Sequence, residues 1–144
     1  LATCTVWLAI DDANVENGCL RFIRGSHKEK KLKSHNINDN KNLTLNQELD
    51  ESEYNEKDAV NLILKRGQIS LHDVYLVHGS EANNSSMARR AITMRFMPTS
   101  SVFDHQMVKD KNLFSKLNAS KYQDRKIYHM RGRDISGKNN LTYI

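Results

Sequence analysis

Five short β-rich runs, each closed by turn chemistry, limit what this chain can become. Thr5-Val6-Trp7-Leu8-Ala9-Ile10 is rich in β-branched and aromatic residues and ends in Asp11-Asp12-Ala13-Asn14, where short polar side chains favour a turn. Cys19-Leu20-Arg21-Phe22-Ile23 is entered through Asn17-Gly18, a dipeptide that tolerates positive φ, and is closed by Arg24-Gly25-Ser26-His27. Ala59-Val60-Asn61-Leu62-Ile63-Leu64 precedes a turn at Lys65-Arg66-Gly67. In the run from Gln68 to His78, apolar side chains at Ile69 and Leu71 give way to a shifted set at Val74, Leu76 and His78. That change of parity near His72-Asp73 predicts a kink, bulge or strand break. The last run, Arg89 to Met97, places Ala91, Thr93, Arg95 and Met97 on one face and Arg90, Ile92, Met94 and Phe96 on the other, and Pro98, the only proline, ends it.

Short strands with turns and long loops between them point to an antiparallel β-sandwich or barrel. Five strands are fewer than the eight of a double-sheet jelly roll, so open edges and an uncovered core face are expected. From Lys28 to about Asn55 the chain is polar, rich in Asn and Lys, and reads as a long surface excursion of the kind that forms lids or binding loops. The stretch Asp104–Leu117 predicts a short C-terminal helix, with Asp104 as N-cap and Met107, Leu113, Phe114 and Leu117 as its apolar residues. The expected organisation is therefore a β region over 1–98 and a helix and tail over 99–144.

The 144 residues suffice for one domain or a piece of one. No apolar run approaches the ~20 residues of a membrane-spanning helix. The start, Leu1-Ala2-Thr3-Cys4-Thr5-Val6-Trp7, reads as the middle of a strand, and the expectation is that an N-terminal part of the protein precedes it. Cys4 and Cys19 lack the spacing of a zinc or redox site and read as reduced thiols of a cytoplasmic protein. The net charge of +5 lies in Lys28-Glu29-Lys30-Lys31-Leu32-Lys33 and in a scattered C-terminal set, without the interleaved aromatics of a nucleic-acid surface. Neither a nucleic-acid nor a membrane partner is expected; a pull on anionic small molecules is the milder reading.

Of the six histidines, His78 has a context that suggests chemistry. It ends a hydrophobic strand directly before Gly79-Ser80, and Arg89 opens the next strand. If the loop 79–88 is a hairpin connection, the two side chains lie at one end of neighbouring antiparallel strands. A neutral imidazole is a good ligand for Fe(II), and a guanidinium grips a carboxylate through two parallel hydrogen bonds. The pair suits a metal chelated by a small dicarboxylate whose far end needs a cation.

Several segments in order then resemble one family. Thr5-Val6-Trp7-Leu8-Ala9-Ile10-Asp11-Asp12-Ala13, Glu16-Asn17-Gly18-Cys19-Leu20-Arg21-Phe22-Ile23-Arg24-Gly25-Ser26-His27, Gly67-Gln68-Ile69-Ser70-Leu71-His72 and His78-Gly79-Ser80 with Asn83 and Arg89-Arg90-Ala91 look like the phytanoyl-CoA dioxygenase family. Met130-Arg131-Gly132-Arg133-Asp134 also resembles the R-G-x-D element near the end of many bacterial members. The resemblance implies a mainly β fold, a double-stranded β-helix (jelly-roll or cupin-like) that is incomplete in this chain. It also implies Fe(II) as cofactor and 2-oxoglutarate as cosubstrate. By resemblance, His78 is the distal iron ligand, Arg89 binds the C5 carboxylate of 2-oxoglutarate, Ser80 assists it, and Trp7 lines the cosubstrate pocket. Ordinary core packing for Trp7 and a turn-capping hydroxyl for Ser80 stay open as readings, and Arg90 is the competitor of Arg89. His72 is expected to face the pocket without ligating, and His27 to keep a structural role at a strand end. Arg24 stands where the family usually has proline.

The family's H-x-D pair is absent from this chain; His72-Asp73 are adjacent residues and lie on the wrong strand. A facial triad needs two imidazoles and a carboxylate. The implied activity is that of an Fe(II)/2-oxoglutarate-dependent dioxygenase of hydroxylase type, with an upstream segment carrying H-x-D and this fragment alone inactive. Its substrate would be a small molecule or acyl compound. The alternatives are an inactive β-sandwich remnant or a binding module holding an anionic ligand through Arg89.

Overall fold

A computed structural model of the chain describes residues 3–41, 47–105 and 124–144. The chain divides into two compact units, Leu1–Phe96 and Met97–Ile144. The first unit contains strands β1 (Cys4–Ala9), β2 (Leu20–Ile23), β3 (His35–Ile37), β4 (Gln47–Leu49), β5 (Ala59–Leu62), β6 (Ile69–Asp73), β7 (His78–Ser80) and β8 (Ala91–Phe96). Six of these build two three-stranded antiparallel sheets, β6-β1-β8 and β5-β2-β7. From β5 onward successive strands change sheet, which is the winding of a double-stranded β-helix. The fold class expected from the sequence is the one observed.

The alternation in β1 explains the packing. Thr5, Trp7 and Ala9 are buried while their neighbours are partly exposed. Trp7 and Ala9 meet Ala13, Cys19 and Leu20 in the core, with Phe22, Leu62, Leu64 and Ala91 packed against them. The two sheets therefore face one another across Trp7 and Leu20. On the opposite face of β6-β1-β8, Leu71 and Ile69 on β6 and Ile92 on β8 are more than 45% exposed, so this apolar side is bare. It is the uncovered face expected from too few strands.

Two turns hold the sheets in register. Asn17 is 1% exposed; its backbone N–H donates to Asn14 Oδ1 and its Oδ1 accepts from the Asn14 N–H. Its Nδ2 donates to Asp12 O at 2.7 Å and to Ala88 O at 3.4 Å, tying the β1–β2 turn to the residue before Arg89. Gly18 follows at φ 75°, and a Cβ there would sit 2.6 Å from Glu81 O. Both the backbone angle and the close approach require glycine.

The parity change in the run 68–78 is a strand break. β6 stops at Asp73, whose Oδ1 accepts from the Tyr75 N–H at 2.8 Å, and β7 resumes at His78 in the other sheet. Ser26 pins the crossing: its hydroxyl donates to Ile23 O and accepts from the Val77 N–H, both at 2.9 Å. The connection from β7 to β8 is not a hairpin. β7 pairs with β2 and β8 with β1, so the chain crosses from one sheet to the other.

The polar excursion is more regular than its composition suggests. β3 and β4 pair antiparallel, His35 opposite Leu49, and short 3₁₀ turns flank the pair at Ser26–Glu29 and Glu51–Glu53. Lys33 sits between Glu29 at 2.8 Å and Glu53 at 3.5 Å, which anchors the segment through charge where apolar contact is scarce.

In the second unit, β9 (Ile127–His129) and β10 (Leu141–Tyr143) pair parallel. Asp134 accepts from Ser136 Oγ at 2.6 Å and from Asn139 Nδ2 at 3.1 Å, and Asn139 Oδ1 accepts from the Phe103 N–H. The helix expected over Asp104–Leu117 falls on residues of which nearly all lie outside the described ones.

Candidate functional site

Strand register decides which side chains share the space between the sheets. Residues paired in an antiparallel ladder lie on one face. Thr5 pairs with His72 on one side and Arg95 on the other, and Trp7 with Ser70 and Thr93. Because Thr5 and Trp7 point inward, those partners do too. On the facing sheet Leu20 pairs with Ser80 and Phe22 with His78. His78 and Ser80 are therefore neighbours on the inner face of β7, two residues apart.

Arg89 lies just ahead of β8 and reaches the same face. Its Nη2 donates to Ser80 Oγ at 3.4 Å, and its guanidinium carbon stands 5.9 Å from the centre of the Trp7 ring. Its Nε is buried and has no hydrogen-bond partner among the described residues. A buried guanidinium N–H without an acceptor is a donor aimed at something else. Arg90 has a different fate. Its Nε and Nη2 grip Asp11 at 2.9 and 2.8 Å, and its backbone N–H donates to the same carboxylate at 2.8 Å. These bonds hold the Asp11 carboxyl at about 2 and raise the pKa of Arg90 in turn. Arg90 is thus committed to Asp11, just after β1, whereas Arg89 lies between Ser80 and the Trp7 ring.

Trp7 and Ser80 combine readings that the residues alone left open. Trp7 is 6% exposed, belongs to the core, and also offers its ring to Arg89. Ser80 is paired in β7 and therefore caps no turn.

At His78 the Nδ1–H donates to Leu76 O at 2.7 Å. In the neutral ring this bond leaves Nε2 as the lone-pair nitrogen, the state a metal ligand needs. His78 packs beside His72, ring centres 5.0 Å apart, and both lie within 6.0 Å of the Phe22 ring. His72 is 8% exposed, with Nδ1 3.3 Å from Ser70 Oγ. Burial first, then the electrostatic influence of His78 and Arg95, lowers its pKa to about 4, so it stays neutral near pH 7. His27, in contrast, falls in the 3₁₀ turn after β2, away from this row.

Sequence reasoning overlooked Thr5, Ser26 and Arg95. Arg95 was legible as a member of the Ala91-Thr93-Arg95 face; what was missing was the knowledge that this face looks inward.

The arrangement fits a small dicarboxylate. Arg89, with an orphaned Nε and no carboxylate partner among the described residues, and Ser80 beside it form one end, and the Nε2 of His78 stands on the same inner face. The fit to iron is partial. No group of three or more His, Cys, Asp or Glu side chains able to hold a metal occurs among the described residues.

The chain is similar to known proteins of one family. The sequence profile of the phytanoyl-CoA dioxygenase (PhyH) family matches residues 2–91. The phytanoyl-CoA dioxygenase domain-containing protein 1 homolog of Dictyostelium discoideum is 36% identical over 99 residues, covering 67% of this chain and 35% of that protein. Phytanoyl-CoA dioxygenase of Arabidopsis thaliana is 34% identical over 93 residues, 64% of this chain and 32% of that protein. The chain thus spans about a third of the curated relatives it matches. Among solved structures, EvdO2 from Micromonospora carbonacea var. aurantiaca, also solved with 2-oxoglutarate, superposes with a TM-score of 0.57 at 28% identity, covering 66% of this chain and 38% of that one.

Proposed function

We infer the function from one premise: the chain belongs to the phytanoyl-CoA dioxygenase family, whose profile matches residues 2–91. From it we propose that the full-length protein is an Fe(II)/2-oxoglutarate-dependent dioxygenase of hydroxylase type, acting on a small-molecule or acyl substrate. Iron in such a site couples O2 to the oxidative decarboxylation of 2-oxoglutarate to succinate and CO2. This chain supplies one metal ligand, His78, and the cosubstrate clamp. In this reading the other imidazole and the carboxylate of the triad would come from elsewhere in the full-length protein.

The observation that carries the proposal is Arg89. Its buried, unpartnered Nε, its contact to Ser80 and its position over Trp7 make a site for a carboxylate that would otherwise be a costly orphan. The C5 carboxylate of 2-oxoglutarate would take two parallel hydrogen bonds from the guanidinium and one from the Ser80 hydroxyl. Trp7 shields that ion pair from water and so strengthens it. His78, its tautomer set by Leu76 O, keeps Nε2 available for metal.

The test is succinate release by the full-length protein supplied with Fe(II) and 2-oxoglutarate. Iron-dependent succinate formation that disappears in His78→Ala supports the reading. A second reading is a module that binds an anion without redox chemistry; it is motivated by the lack of a three-residue metal-ligating group among the described residues. Binding of 2-oxoglutarate with no iron uptake and no succinate would establish that reading instead.

A further inference from the structure

A second guanidinium lies on the same inner face. Arg95 pairs with Thr5, Thr5 pairs with His72, and Thr5 and His72 are both buried, so the three side chains form one transverse row on the inner face of β6-β1-β8. None of the paired strand positions on either inner face is Asp or Glu, and no ion pair to Arg95 occurs among the described residues. Two acidic residues at the ends of neighbouring strands are engaged elsewhere: Asp73, which ends β6, with Lys30, and Asp11, just after β1, with Arg90. Arg95, itself exposed, thus adds a positive charge to this face, with no acidic partner among the described residues.

Arg89 is held at a different point of this face. Six residues separate the two, roughly 20 Å between Cα atoms were the chain fully extended. The carboxyl carbons of a five-carbon diacid stand only about 5 Å apart. Arg89 is engaged at the Trp7–Ser80 end, and Arg95 at the Thr5–His72 end. Each would serve a different anion.

We propose that Arg95, with Thr5 and His72 beside it, is a second oxyanion subsite that binds a carboxylate or phosphate group of the prime substrate. This rests on the oxygenase reading for the word substrate, but the subsite itself does not. Arg95 would supply two parallel N–H donors, and the Thr5 hydroxyl a third hydrogen bond. His72, buried and with its Nδ1 3.3 Å from Ser70 Oγ, supplies a polar wall. The substrate would be anionic, with its acidic group fixed at the far end of the face from the cosubstrate clamp.

The experiment is calorimetric binding to the full-length protein already saturated with 2-oxoglutarate. Acetate, inorganic phosphate and coenzyme A serve as probes, so that carboxylate and phosphate sources are distinguished. The Arg95→Ala variant should weaken binding of the preferred probe roughly tenfold or more while leaving 2-oxoglutarate affinity unchanged, and Arg95→Lys should recover part of it. Arg89→Ala should do the reverse. Circular dichroism and the retained 2-oxoglutarate affinity show that Arg95→Ala is folded. If Arg95→Ala weakens 2-oxoglutarate itself, the residue belongs to the cosubstrate and the subsite is refuted. Equal probe binding by wild type and Arg95→Ala refutes it as well. Arg95-dependent anion binding in a protein that fails to bind 2-oxoglutarate would keep the subsite and remove the oxygenase reading.

Discussion

Arg89 donates from Nη2 to Ser80 Oγ while its Nε stays buried without an acceptor, so one side chain is both anchored and unsatisfied. Removing it takes away both the anchor and the waiting donor. Arg89→Ala in the full-length protein should weaken 2-oxoglutarate binding by ~2–5 kcal/mol, by analogy with buried charge pairs at interfaces. That is roughly 30-fold to several thousand-fold in the apparent Kd. Arg89→Lys keeps the charge but loses the fork, and should recover only part. An unchanged dissociation constant for Arg89→Ala would remove it from this role.

Ser80 makes the smaller contribution. Its hydroxyl touches Arg89 at the long end of hydrogen bonding, 3.4 Å, and a single neutral bond is worth ~0.5–1.5 kcal/mol. Ser80→Ala should therefore raise the dissociation constant for 2-oxoglutarate several-fold, far less than Arg89→Ala. An effect equal to that of Arg89→Ala would mean that Ser80 holds the carboxylate directly.

The Asp11–Arg90 pair gives a pH signature. Its carboxyl titrates at about 2 when folded against 3.8 ordinarily, chiefly through the side-chain bond from Arg90. A depressed acid contributes stability that is fully present above the unfolded value and is lost as pH falls through the folded one. Stability should then decline between about pH 4 and pH 2, and Asp11→Asn should flatten that part of the acid-unfolding curve. The Arg90 side chain is exposed and Asp11 partly so, and raising the salt concentration should therefore shrink the effect. A curve that Asp11→Asn leaves unaltered would show that the bond carries no linkage.

Much of this arrangement was legible in the residues. The alternation of Thr5, Trp7 and Ala9 marks an inward face, Asn17-Gly18 marks the turn, and the shifted parity after Leu71 marks the point where the chain leaves one sheet for the other. All three are local signals, carried by side chains a few positions apart. What the residues do not carry is which strand lies beside which. The stretch between β7 and β8 looks like a hairpin loop by composition, yet it joins two sheets, because β1 and β2 occupy the neighbouring places. The residues favoured Arg89 over Arg90 without showing what occupies Arg90: that partner is Asp11, far away in sequence. The β3–β4 pair was hidden by a segment rich in Asn and Lys, residues that rarely announce a strand.

The turn that seats Arg89 supplies the last prediction. Asn17 Nδ2 donates to Asp12 O and to Ala88 O, so it joins the end of β1 to the residue that precedes the clamp. Asn17→Ala would strand those buried carbonyls and the backbone groups of Asn14, at ~1–3 kcal/mol. Gly18→Ala adds a left-handed backbone that alanine resists by ~1–2 kcal/mol, and a Cβ pressed within 2.6 Å of Glu81 O. Both variants should lower the denaturation midpoint, which chemical unfolding of the full-length protein measures. They should differ at the site. Loss of the Ala88 tether frees the residue before Arg89, so Asn17→Ala should weaken 2-oxoglutarate binding beyond what its stability loss explains, at a temperature where it is fully folded. Gly18→Ala moves the segment at Glu81, directly after β7, and so disturbs the Ser80 side of the clamp instead. If folded Asn17→Ala binds 2-oxoglutarate as well as wild type, Arg89 is seated by Ser80 and Trp7 alone, and the turn serves only stability.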